Sequence, residues 1–91
     1  MIILLIVGKS DAETAFRIAR RIAAQGKKLV ILFVGEGCRI AERPAWVEAL
    51  DFARLYALDV DCMDPALSVD LVDYSGWVKL LEYCSKTVSW T

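Results

Sequence analysis

The 91-residue chain contains no histidine. That absence excludes Ser-His and Cys-His catalysis within one chain and removes the commonest metal ligand. The three cysteines, Cys38, Cys62 and Cys84, form no C-x-x-C pair, and three isolated cysteines do not make a zinc site. An odd number without paired spacing suits reduced thiols better than a disulfide framework. No G-x-G-x-x-G follows the first apolar run and no Walker sequence occurs, so neither a dinucleotide nor a P-loop site is supported. No cofactor and no metal are expected. Charge of one sign is lacking as well: a net charge of −1 and a pI near 5.3 argue against a broadly basic nucleic-acid surface. Long hydrophobic runs are also missing. Met1 to Val7 is too short to span a bilayer and has neither a charged region before it nor a clear cleavage site after it. The expectation is a cytoplasmic chain with no membrane segment and no direct nucleic-acid contact.

What is present is apolar and regularly spaced. A chain of this length is one domain, residues 1–91. Its hydrophobic content of 57% and mean hydropathy of +0.45 are high for a small monomer, so part of that area is expected to lie against another subunit. Leu29 to Val34 is an unbroken apolar run, the pattern of a strand buried on both faces. Ile2 to Val7 is a second such run. Between them, Ser10-Asp11-Ala12-Glu13 fits an S-x-x-E capping box with Ser10 as N-cap. Ala12, Ala15, Phe16, Ile18, Ala19, Ile22 and Ala23 then fall on one side of a helix, with Arg17, Arg20 and Arg21 on the other. Gly26 is placed as the C′ residue. These three elements make a parallel βαβ unit.

Farther on, Pro44 suits the first turn of a helix running to about Ala57. Its apolar arc, from Trp46 to Ala57, is wider than a surface helix needs, which predicts a subunit contact there. Leu58 to Cys62 alternates and reads as a third strand; Val69 to Val72 reads as a fourth. A helix from Asp73 places Trp77, Leu80, Leu81 and Cys84 on one face, and Thr87 to Trp90 adds an edge strand. The fold class is therefore α/β, a small Rossmann-like three-layer domain with a mostly parallel sheet of four or five strands.

In such a topology the carboxyl ends of the strands share one rim, where Gly8–Ser10, Gly35–Ala41 and the segment from Cys62 onward meet. Cys38 and Cys62 are the candidate reactive residues. Cys38 has Arg39 and Arg43 nearby and glycines before it, which stabilise a thiolate. Cys62 stands between Asp61 and Asp64, whose charges oppose ionisation. Local charge thus favours Cys38 as nucleophile. Cys84, on an apolar face, reads as core. The cluster Arg17, Arg20, Arg21 reads as a solvated helix face, and the three tryptophans read as core or interface. The Gly35–Gly37 turn leaves an anion-binding module as a weaker option.

The segment from Val69 to Thr91, VDLVDYSGWVKLLEYCSKTVSWT, resembles the end of DsrH/TusB-type proteins in the DsrE/DsrF/DsrH sulfur-relay superfamily. Val72, Asp73 and Tyr74 match a V-D-Y tripeptide, Trp77, Val78 and Leu80 an aromatic-Val-x-Leu helix, and Trp90 a terminal tryptophan. Leu29–Ala41 is similar to the family's apolar strand followed by an acidic residue, a glycine and a short helix. The resemblance implies a cytoplasmic Rossmann-like subunit of a homo-oligomer, or of a hetero-oligomer with homologous DsrE/DsrF-like subunits. It further implies passage of sulfane sulfur as a cysteine persulfide between donor and acceptor proteins, toward tRNA 2-thiouridine or in sulfur oxidation. DsrE/TusD-type subunits hold the active cysteine just after a central strand, a place Cys62 occupies here, and that comparison favours Cys62 over Cys38. The first helix carries no cysteine, and Met63-Asp64-Pro65 stands where the family has Ala-Arg-Gly. A non-catalytic scaffold subunit of the same superfamily is the alternative.

Overall fold

A computed structural model describes all 91 residues. β1 is Ile2–Val7 and β2 is Lys28–Phe33; each has five buried residues in its run of six. They pair in parallel with Val7 opposite Phe33. β3 (Arg54–Leu58) pairs with β2 and places Ala57 opposite Phe33. β4 (Asp70–Val72) and β5 (Lys86–Trp90) complete a five-stranded sheet of order β4-β3-β2-β1-β5 in which every pair is parallel. Val7, Phe33 and Ala57 therefore bring the carboxyl ends of three neighbouring strands level. This is the α/β architecture with a predominantly parallel sheet that the sequence predicts.

Period-two alternation divides the core into two layers. Ile3, Leu5, Val7, Leu29, Ile31, Phe33, Leu55 and Ala57 face α1 (Ala12–Ala23), α2 (Cys38–Ala41) and α3 (Pro44–Ala49). Leu4, Ile6, Val30 and Leu32 face Leu80 of α4 (Tyr74–Tyr83) and Cys84, which caps its C-terminus. Ala15 and Ala19 let α1 lie close to the sheet. Its N-cap is Asp11, one residue after the expected Ser10: Asp11 accepts from the Thr14 backbone N–H at 3.2 Å and from the Thr14 hydroxyl at 2.6 Å. The Thr14 hydroxyl, then its backbone N–H, hold the Asp11 carboxyl below the usual carboxylate range. Carboxylates are strong caps because the charge also meets the helix dipole. Arg20 lies over the Phe16 ring at 4.3 Å, so one member of the arginine face packs rather than only hydrates.

Two boundaries differ from the sequence reading. The helix at Pro44 stops at Ala49, and the residues from Arg54 to Leu58 are strand β3. Leu58–Cys62 is accordingly not a strand; Cys62 lies four residues beyond β3 in a turn whose N–H bonds return to Leu58 O. Alternating Asp and Val residues mimic a strand, whereas Leu55, Ala57 and Leu58 are the ones buried by neighbours. Tertiary pairing with β2 overrode the helical periodicity of this stretch.

The same shift removes the wide apolar arc expected of the second helix, since Phe52, Ala53, Tyr56 and Ala57 are not helical. The exposed apolar stripe lies elsewhere. A single ten-residue helix covers the second sheet face, and Tyr74, Val78 and Leu81, at i, i+4 and i+7, present 60%, 52% and 43% of their surface to solvent beside Leu71 at 48%.

Candidate functional site

The rim is built by close backbone approach. After β2 the chain enters a 3-10 turn, Gly35–Gly37, that leads directly into α2. Gly35 has a positive φ of 52°, a conformation that favours glycine. Gly37 is needed for a different reason: a Cβ there would lie 2.0 Å from the Val7 carbonyl oxygen. The missing side chain lets α2 start against the end of β1, which seats Cys38 at the first position of the helix, 3% exposed, with its sulfur 3.8 Å from Phe33 O.

Cys62 reaches the same point from the neighbouring strand. Its Cα is 5.3 Å from that of Cys38, and the two sulfurs form a disulfide closing 24 residues of sequence separation. This corrects the expectation of three unpaired thiols. Spacing along the chain carries no information about the pairing; the level carboxyl ends of β2 and β3 create it. Cys38 and Cys62 do meet at one rim, as the topology predicts.

Two hydrogen bonds independent of sulfur clamp the same junction. The Asp61 carboxylate accepts from the Gly35 N–H at 2.8 Å, and the Ala66 N–H donates to Ala41 O at 2.8 Å. They flank Cys62 on one side of the contact and bracket Cys38 on the other. The segment around Cys62 is open to solvent: Asp59, Val60 and Asp61 before it and Met63 and Asp64 after it are exposed, while Cys62 itself is 1% exposed. Sequence reading names the Gly35–Gly37 turn only as an anion-binding option and Asp61 only as a charge opposing Cys62 ionisation, and assigns neither residue its place in this junction. The Gly-Glu-Gly pattern hinted at the first; nothing local distinguishes Asp61 from its neighbouring aspartates.

Arg39 and Arg43 are exposed and line a depression of about 370 Å³ with Ser10, Glu13 and Trp46 beside the start of α1. Their charge lies next to α2 but is shared with acidic groups of α1. Cys84 is in the second core layer under α4, and burial pushes its thiol up. It is unpaired and lies in the opposite core layer from the other two. No three Cys, Asp or Glu side chains converge where a metal ion could sit, and no helix is long and apolar enough to cross a membrane.

The geometry thus provides two sulfurs held at bonding distance by main chain, with one partner in a rigid turn and the other in an exposed one. Such a pair can exchange with external thiols and sulfane sulfur once opened. No protein-family model matches the chain, and no curated protein sequence matches it. Among solved structures, the crystal structure of the YchN protein from E. coli is similar, with a TM-score of 0.75 and 10% sequence identity over 98% of this chain and 97% of that one. At that identity the likeness is one of fold alone, an α/β domain built on a parallel sheet.

Proposed function

We propose that the chain is a sulfur-relay subunit that carries sulfane sulfur as a persulfide on Cys62, with Cys38 as its partner thiol. The observation that supports this most is the meeting of two cysteines at the carboxyl rim of a parallel sheet, in a chain that resembles the DsrE/DsrF/DsrH superfamily. In the reduced protein the Cys62 thiolate takes the outer sulfur of a donor persulfide, and the donor leaves as a thiol. Cys62 is the acceptor because its turn is solvent-exposed, whereas Cys38 is fixed behind Gly37. The acceptor of the relayed sulfur is a protein thiol, in a pathway of the tRNA-thiolation or sulfur-oxidation type and in a cytoplasmic setting where the pair can be kept reduced. Cys62→Ser is expected to abolish persulfide loading, read by intact mass, without changing the hydrodynamic size. Loading that survives in Cys62→Ser would sink the assignment of the acceptor.

The apolar stripe of α4 supports a second element of this reading, assembly with another copy or with a homologous subunit. Tyr74, Val78 and Leu81 form a continuous exposed face of a kind that marks interaction sites. Val78→Lys with Leu81→Lys should convert an oligomer to monomer in size-exclusion chromatography with light scattering. A wild-type protein that is monomeric at micromolar concentration contradicts the assembly. A scaffold role without sulfur chemistry is the reading that remains if assembly holds and loading fails.

A further inference from the structure

The pairing of Cys38 with Cys62 implies more than carriage. We infer that the site also reduces sulfane sulfur to sulfide: Cys38 is a resolving thiol that expels the sulfur loaded on Cys62 as hydrosulfide and closes the Cys38–Cys62 disulfide. This rests on persulfide loading at Cys62. A carrier that only passes sulfur onward needs one thiol; here a second stands 5.3 Å away at Cα, in position to attack the inner sulfur of any adduct.

The chemistry balances in three steps. A donor persulfide R–S–SH and the Cys62 thiol give Cys62–S–SH and R–SH. The Cys38 thiolate then attacks Sγ of Cys62; the bond to the outer sulfur breaks and that sulfur leaves with the electron pair as HS⁻. The sulfane sulfur is reduced by two electrons, and the two thiols are oxidised to the disulfide. An external dithiol reductant, small or protein-borne, reopens the disulfide by exchange and becomes a disulfide itself.

Three observations favour resolution over simple storage. The clamp of Asp61 on Gly35 and of Ala66 on Ala41 keeps the two turns together without the S–S bond, so the dithiol form retains the approach that attack requires. Cys38 is the inner partner: it starts α2, whose N-terminus is wedged under Val7 O, and it has little freedom to meet an external acceptor. In the joined state both sulfurs are enclosed, at 3% and 1% exposure, so the closed form cannot be loaded and each turnover must await reduction.

The test uses the full chain, reduced with a phosphine and freed of reductant without oxygen, then given one equivalent of glutathione persulfide. Wild type should release one equivalent of sulfide per chain and become two hydrogens lighter than the reduced protein, with peptides of Cys38 and Cys62 linked. Cys38→Ser should keep the added sulfur on Cys62, with sulfide release slowed by about tenfold or more. Sulfide that appears with Cys62→Ser is donor decomposition and is subtracted. A wild-type protein that holds a stable adduct without releasing sulfide overturns the reductive step and leaves loading intact. Absence of both adduct and sulfide removes the loading reading and this one with it. If Cys38→Ser does not fold, the wild-type mass and sulfide time course decides alone.

Discussion

Replacing Gly37 by alanine is expected to destabilise the domain by about 3 kcal/mol or more. The added Cβ would lie 2.0 Å from the Val7 carbonyl oxygen and 2.8 Å from its carbon. Neither atom can yield as a side-chain tip would, because Val7 is fully buried at the carboxyl end of β1 and its carbonyl accepts the Val34 N–H at 2.9 Å. Either α2 lifts from the rim or this hydrogen bond is lost. Gly26→Ala is the control. Gly26 has a φ of 75° but open space around it, so the cost there is conformational, about 1–2 kcal/mol. Urea unfolding of the two variants separates the effects; equal costs would mean that α2 relaxes freely and that Gly37 does not seat Cys38. The same variant should separate the two thiols, because Cys38 follows directly on Gly37.

Opening the disulfide should cost about 3.5 kcal/mol, the loss of loop-closure restriction for a bridge of this sequence separation. Domains of this size carry roughly 5–15 kcal/mol of stability, so the reduced protein should remain folded with a lowered denaturation midpoint. The two hydrogen bonds of the clamp, at about 1 kcal/mol each, are what hold the dithiol form in register. Urea titrations with and without a phosphine reductant, followed by far-UV circular dichroism, measure the difference. Identical midpoints would mean that the bridge is absent in solution. Loss of the folded baseline on reduction would mean that the bridge is a structural staple, incompatible with a site that opens at each turnover.

The parts of this architecture that were legible in the sequence are those with a strong local period. Two six-residue apolar strands and the amphipathic α1 between them sit within one residue of their expected bounds, because burial on both faces of a central strand leaves little choice of residue. In the stretch Arg54–Cys62 the helical and strand signals overlap: Trp46 to Ala57 satisfies a wide helical arc, and alternating aspartates imitate a strand. The β2–β3 ladder, a non-local fact, settles it. The convergence of Cys38 and Cys62 on one rim followed from parallel topology alone. Their bonding did not, since it depends on Phe33 and Ala57 being paired and on Gly37 having no side chain, neither of which a single sequence displays. The exposed apolar stripe lies on α4 and not on the Pro44–Ala57 stretch, because the helix there ends at Ala49 and Arg54–Ala57 is strand.

The site joins a rigid cysteine to one in an open turn, and its central claim is that Cys62 accepts sulfane sulfur. The most direct measurement is the intact mass of the reduced, folded protein during exposure to a persulfide donor, with peptide mapping of the adduct. One sulfur added at Cys62, transient in the wild type before the disulfide closes and persistent in Cys38→Ser, removable by reductant and absent from Cys84, is the predicted result. If all three thiols stay unmodified in the folded reduced protein and react only after unfolding, the claim is wrong and the cysteine pair is a core bridge of a scaffold subunit.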